Sequence, residues 1–172
     1  INTIFLEKFS FMYSKFDGDA TFADCRFMKI ASITGSSFGG KVNLSQSYFK
    51  GPAFLIGAKF GGIVDFSLAH LSSDAYLSGS QFNGPVGFIG TQFFDYAEFF
   101  SSQFAADAFF DETYFGGDTN FIESSFGQAA QFNKTILNGE VSFEGAHFAG
   151  STRFLGAIFN DTAYFASAQF EK

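Results

Sequence analysis

Residues 93–115 read Phe93-Phe94-Asp95-Tyr96-Ala97-Glu98-Phe99-Phe100-Ser101-Ser102-Gln103-Phe104-Ala105-Ala106-Asp107-Ala108-Phe109-Phe110-Asp111-Glu112-Thr113-Tyr114-Phe115. Phe93, Phe99, Phe104, Phe110 and Phe115 recur at alternating steps of six and five, and each of the last four follows a small residue by two places: Ala97, Ser102, Ala108 and Thr113. In an extended chain, positions i and i−2 share a face, so the small and the large residue point the same way and the residue between them points out. A helix fails the pattern, because at ~100° per residue a five-residue step splits the Phe into separate stripes.

Carried outward in steps of eleven, the motif covers the chain. One register runs from Phe5, Phe16 and Phe27 to Phe148, Phe159 and Phe170; the other runs from Phe11, Phe22 and Ile33 to Phe143, Phe154 and Phe165. All 31 positions are Phe, Leu or Ile, and they hold 25 of the 30 Phe. The small positions are Thr3, Ser14, Cys25, Ser36 and their successors, and Ala20, Ala31, Val42 and theirs, with Phe9 the one large exception. Cys25 therefore reads as a small buried hydrophobe. Gly recurs two residues after the large one in both registers, as in Gly40, Gly62 and Gly84 and in Gly35, Gly57 and Gly79, which predicts corners with positive φ at both.

The centre-and-small pattern, as in Ala53-Phe54-Leu55 and Ala157-Ile158-Phe159, resembles the pentapeptide-repeat family in a Phe-rich variant with alternate six-residue units. The resemblance implies an all-β fold, a right-handed quadrilateral parallel β-helix whose five- and six-residue units each form one side. One coil then takes 22 residues, giving nearly eight coils and a rod about 37 Å long at ~4.8 Å per strand. A flattened solenoid with 11-residue coils is the structural alternative. Residues 1–172 read as one continuous solenoid, and the absence of a visible cap beyond Phe5 or Phe170 predicts a segment of a longer chain or an end covered by another copy.

Net charge is −7, which disfavours direct nucleic-acid binding. No apolar run is long enough to span a membrane. One cysteine allows no internal disulfide framework and leaves the compartment open, bacterial cytoplasm being the default that the resemblance implies. His70 and His147 both precede a core residue and stand 77 residues, or three and a half coils, apart, so they share neither a metal nor a catalytic dyad. The Gly pairs lack the following helix and Lys-Ser/Thr of a phosphate loop. The sequence thus implies no enzyme, no cofactor and no metal.

Acidic groups cluster between Asp95 and Glu144, nine against Lys134 alone. On a 22-residue coil Asp95, Glu98, Asp118, Glu123, Glu140 and Glu144 fall on or beside one face, together with outward Phe54, Ile56, Tyr76, Phe100 and Ile122. That set is the candidate partner surface, weighed against an ordinary solvated face with aromatics filling the pleats. Phe159, Phe165 and Phe170 form a candidate end-to-end interface. The expected function is a structural or protein-interaction scaffold. The family resemblance supplies an alternative, a DNA-shaped inhibitor of type II topoisomerases; an ice-binding solenoid would want an outward Thr row that the column Ile4, Arg26, Tyr48, His70 does not offer.

Overall fold

The computed structural model describes residues 2–171. Its described residues form 31 two-residue strands, β1 (Ile4–Phe5) to β31 (Gln169–Phe170), and no helix. Every fourth strand joins the same parallel sheet, giving three sheets of eight strands and one of seven. Paired residues differ by 22, as in Phe16 with Phe38 and Phe38 with Phe60. The coil is therefore 22 residues and the solenoid right-handed, with the four sheets as its sides. We label the sides by their first strands: face A from β1, face B from β2 (Phe9–Ser10), face C from β3 (Lys15–Phe16) and face D from β4 (Ala20–Thr21).

Each large register position contributes one rung to a column inside the rod. Face C holds an unbroken stack from Phe16 to Phe170, with ring centroids 4.9 Å apart at Phe16–Phe38, 5.1 Å at Phe82–Phe104 and 4.7 Å at Phe148–Phe170. Each buried ring stabilises by about 1.5–3 kcal/mol, and each stack adds about 0.5–1.5 kcal/mol. Cys25 is buried in the same core. Phe9, at a small position, fills the N-terminal coil and packs against Phe5, Phe11, Phe22 and Phe27 at centroid distances of 4.7, 4.8, 5.3 and 4.9 Å. Sequence offers no sign of this cover, because Phe9 looks only like a break in the pattern.

The small hydroxyl positions are satisfied by main chain. Ser80, Thr91, Ser102, Thr113 and Thr135 donate to carbonyls 25 residues back, Thr135 Oγ1 to Phe110 O at 2.7 Å. Ser36 does the same to Phe11, whereas Ser47 and Ser124 bond within their own turns. Two hydroxyls in the other register, Thr119 Oγ1 and Thr152 Oγ1, have no hydrogen-bond partner among the described residues.

The corners correct the expectation that both glycine classes adopt positive φ. Only the five-residue steps do so. Phe88 O accepts from Thr91 N at 2.9 Å with Gly90 at φ 63°, the geometry of a type II turn. Nine such corners hold a residue other than Gly in the same conformation, Leu68 and Glu123 among them. At the six-residue corners φ is not positive and the demand is for space: a Cβ on Gly62 would lie 2.6 Å from Gly40 O in the coil below. One offset in sequence thus serves two needs.

The interior is also less full than the Phe count suggests. A void of about 20 Å³ lies among Phe22, Phe27, Ile33, Phe38, Leu44 and Leu55. In that coil Ile33 and Leu44 stand on opposite faces, so the core loses ring area on both sides at one level.

Candidate functional site

Face B fixes the acidic and aromatic groups by main-chain pairing. β10 (Ala53–Phe54), β14 (Ala75–Tyr76), β18 (Ala97–Glu98) and β22 (Thr119–Asn120) are neighbours, so Phe54, Tyr76, Glu98 and Asn120 form one outward column. Phe54 and Tyr76 stack at 5.1 Å with their planes 5° apart. Beside them run Asp74, Tyr96, Asp118 and Glu140 on one flank, each 22 residues from the last, and Ile56, Phe100, Ile122 and Glu144 on the other. Ile56 and Phe100 are exposed, while Phe54, Tyr76 and Ile122 are half-buried.

The polar groups hold one another in place. Tyr76 Oη donates to Asp74 Oδ2 at 3.0 Å. That bond, followed by burial and by the Asp74 charge, raises the Tyr76 pKa above its ordinary value. Burial raises that of Tyr96, opposed by a hydrogen bond from Asn120 Nδ2 at 3.4 Å and reinforced by the charges of Glu98 and Asp118. Both phenols stay neutral at physiological pH and add no charge to the face. Glu123 accepts from Ser101 Oγ at 3.2 Å, Glu144 from Ser142 Oγ at 3.3 Å, and Asp95 from Tyr96 N at 3.1 Å. Asp118 Oδ1 accepts from Glu140 N at 3.0 Å.

A shallow groove of about 150 Å³ opens between Tyr96 and Tyr164, with Asp118 and Glu140 on one rim, Ile122 on the other and Asn120 along its bed. Of the residues expected from sequence, Asp118, Ile122 and Glu140 line it. Glu98, Glu123 and Glu144 lie around it, Asp95 at the corner, and Phe54, Ile56, Tyr76 and Phe100 continue the face or its edge toward the N terminus. Tyr96, Asp74 and Tyr164 were missed, although steps of 22 from Asp118 and Ser142 reach all three.

Phe159, Phe165 and Phe170 are 37%, 37% and 51% exposed and form a layer over the last coil. Phe165 stacks on Phe143 at 5.1 Å and Phe170 on Phe148 at 4.7 Å.

Face A carries a second feature that sequence did not single out. Arg26 lies 5.6 Å over the Tyr48 ring, and centroid distances of 5.1, 4.4 and 5.6 Å join Tyr48, His70, Phe94 and Tyr114. Phe94 reaches in from the corner, outside the outward column. His70 sits in β13 (His70–Leu71) on face A and His147 in β27 (His147–Phe148) on face C, so they look away from each other. His70 Nδ1 lies 3.2 Å from Gln92 Oε1, and His147 Nε2 donates to Glu171 Oε1 at 2.8 Å. Among the described residues no group of three metal-ligating side chains gathers, and no helix is long and apolar enough to cross a membrane.

Four parallel sheets wound as 22-residue coils around Phe columns define a quadrilateral β-solenoid, a scaffold class of protein. A profile of pentapeptide repeats matches residues 44–92 and 132–172 in nine copies, and the chain belongs to that family. No curated protein matches it.

Proposed function

We propose that the chain is a non-catalytic protein-interaction scaffold, a rigid rod that offers face B to a partner bearing basic and apolar groups. The carrying observation is that main-chain pairing holds Phe54, Tyr76 and Glu98 in register beside Asp74, Asp118 and Glu140, so the surface is preorganised and costs little entropy to present. The ring layer of Phe159, Phe165 and Phe170 supports a second contact, end-to-end association of copies. The DNA-mimic alternative needs nearly continuous negative potential, whereas Arg26 interrupts face A, Lys15 and Lys59 face C, and Arg153 face D.

Calorimetric titration with a synthetic peptide alternating Lys and Leu tests face B. Wild type binds it in a salt-sensitive way, and a Glu98→Lys, Asp118→Lys, Glu140→Lys triple variant does not. Equal binding by both removes face B from the reading. Sedimentation of wild type and Phe165→Glu, with topoisomerase inhibition measured on both, tests the rest. Self-association lost in the variant supports the scaffold, and a strictly monomeric chain that inhibits potently promotes the mimic.

A further inference from the structure

Face D breaks its outer column once. Its outward residues run Thr21, Asn43, Asp65, Gly87, Phe109, Gln131 and Arg153, paired in register. Gly87, in β16 (Val86–Gly87), is the only glycine in a strand among the described residues. Glycine weakens a strand, and a conspicuous one often marks a close approach by something else. Here the fold does not ask for it. The φ of Gly87 is not positive, and an added Cβ would meet only Ser67 Oγ at 3.5 Å and Asp65 Oδ1 at 3.9 Å, ordinary contacts unlike the collision awaiting one at Gly62.

Gly87 forms a notch in a groove of about 290 Å³ that begins at Phe109 on one side of Gly87 and runs past Asp65 on the other to Asn43 and Lys41, with Ile63 and Ile89 along its edges. Where two outward rings are neighbours, as at Phe54 and Tyr76, they stack at 5.1 Å. Phe109 meets no other ring among the described residues, and Gly87 stands where its stacking neighbour would be. Phe109 and Asp65 are two strand spacings apart, about 9.6 Å, which admits one flat group between them.

Charge selects that group. Asp65 accepts from Ser67 N at 2.8 Å through Oδ1 and makes no ion pair among the described residues. Asp107 and Asp111 stand two residues to either side of Phe109, their own bonds coming from Ala129 N at 3.1 Å and Asn133 Nδ2 at 2.6 Å. Lys41 is the one basic residue lining the groove. A planar cation satisfies both walls at once, stacking on Phe109 and pairing with Asp65.

We propose that the notch at Gly87 is a docking pocket for an arginine side chain of a protein partner. It lies on face D and stands independently of face B. The test is an NMR titration of labelled protein with acetyl-Gly-Arg-Gly-amide and its lysine counterpart. The arginine peptide shifts Asp65, Gly87 and Phe109 saturably, and the lysine peptide binds at least about tenfold more weakly, lacking the flat fork. Gly87→Gln fills the notch and weakens binding at least about tenfold without lowering the melting temperature. Asp65→Asn weakens it roughly threefold and reduces its salt dependence, which keeps the test alive should Gly87→Gln misfold. Equal binding of the two peptides, undiminished binding to Gly87→Gln in its folded form, or shifts confined to other faces would overturn the assignment.

Discussion

Replacing Leu44 by Phe should make the protein more stable. Leu44 is the one residue other than Phe in the face D column, between Phe22 and Phe66, and it lines the void of about 20 Å³. Filling that void recovers about 0.5 kcal/mol at ~24 cal/mol per Å³. Two new ring stacks, with Phe22 and Phe66, add about 1–3 kcal/mol together, since the stacked pairs further along the column sit at 5.1 and 4.9 Å. Against this, a phenyl group placed in a void no larger than the added volume strains its neighbours by about 1–2 kcal/mol. The net expectation is a gain of about 1 kcal/mol. Urea unfolding followed by circular dichroism reads it as a shift in midpoint at unchanged slope. The control is Leu71→Phe: Leu71 also interrupts a column, between Phe49 and Phe93, but does not line the void, so overpacking offsets its stacks and no gain results. A loss of stability in Leu44→Phe, or an equal gain in both variants, would refute the assignment of the void as the limiting defect.

Further expectations follow from the registers. Ala97→Leu and Ala130→Leu should each cost about 1–3 kcal/mol by overfilling buried positions, while substitutions of exposed Gln92 or Gln103 change stability by less than about 0.5 kcal/mol, checked in the same unfolding assay. Thr119→Val should stabilise by about 1 kcal/mol by removing a buried hydroxyl that has no partner among the described residues, whereas Thr135→Val should cost about as much because it breaks the bond to Phe110 O; thermal melts of both separate the two cases. Gln46→Gly should raise the melting temperature by relieving a left-handed corner at φ 57°, and Gly62→Ala should lower it by collision.

Spacing made the eleven-residue repeat readable, because a parallel ladder keeps equivalent residues aligned and any slip would misplace every ring at once, whereas the choice of a 22-residue coil over an 11-residue one came from the family resemblance, since both place the same residues inward. Cys25 and the outward acids were legible for the same reason: each is fixed by its offset from a Phe. The corner glycines were not, since Gly40 and Gly57 share one offset and differ only in whether backbone crowding or turn conformation demands them. Nor could Phe94 be seen beside His70, because its ring crosses from a corner to a neighbouring strand. The notch at Gly87 escaped notice as one more glycine in a chain of 19. On face B the sequence named the acids from Asp95 to Glu144 yet left out Asp74, which lies outside that cluster, and Tyr96 and Tyr164, which a uniform aromatic background conceals.

The alternation of five and six residues has a consequence for how such a chain tolerates changes of length. Eleven residues advance the backbone half a coil, so Phe5 supports face A and Phe16 face C, with the type II corners diagonal to each other. A deletion or duplication of 22 residues would leave all downstream side chains on their original sides. One of eleven would keep every Phe of the two registers on a core column but turn the downstream exterior through half a revolution, carrying Glu98 and Asp118 to the side where Gly87 and Phe109 now lie. The core would not register the event, and the outer surface would be rewritten, so selection on the exterior alone distinguishes the two lengths.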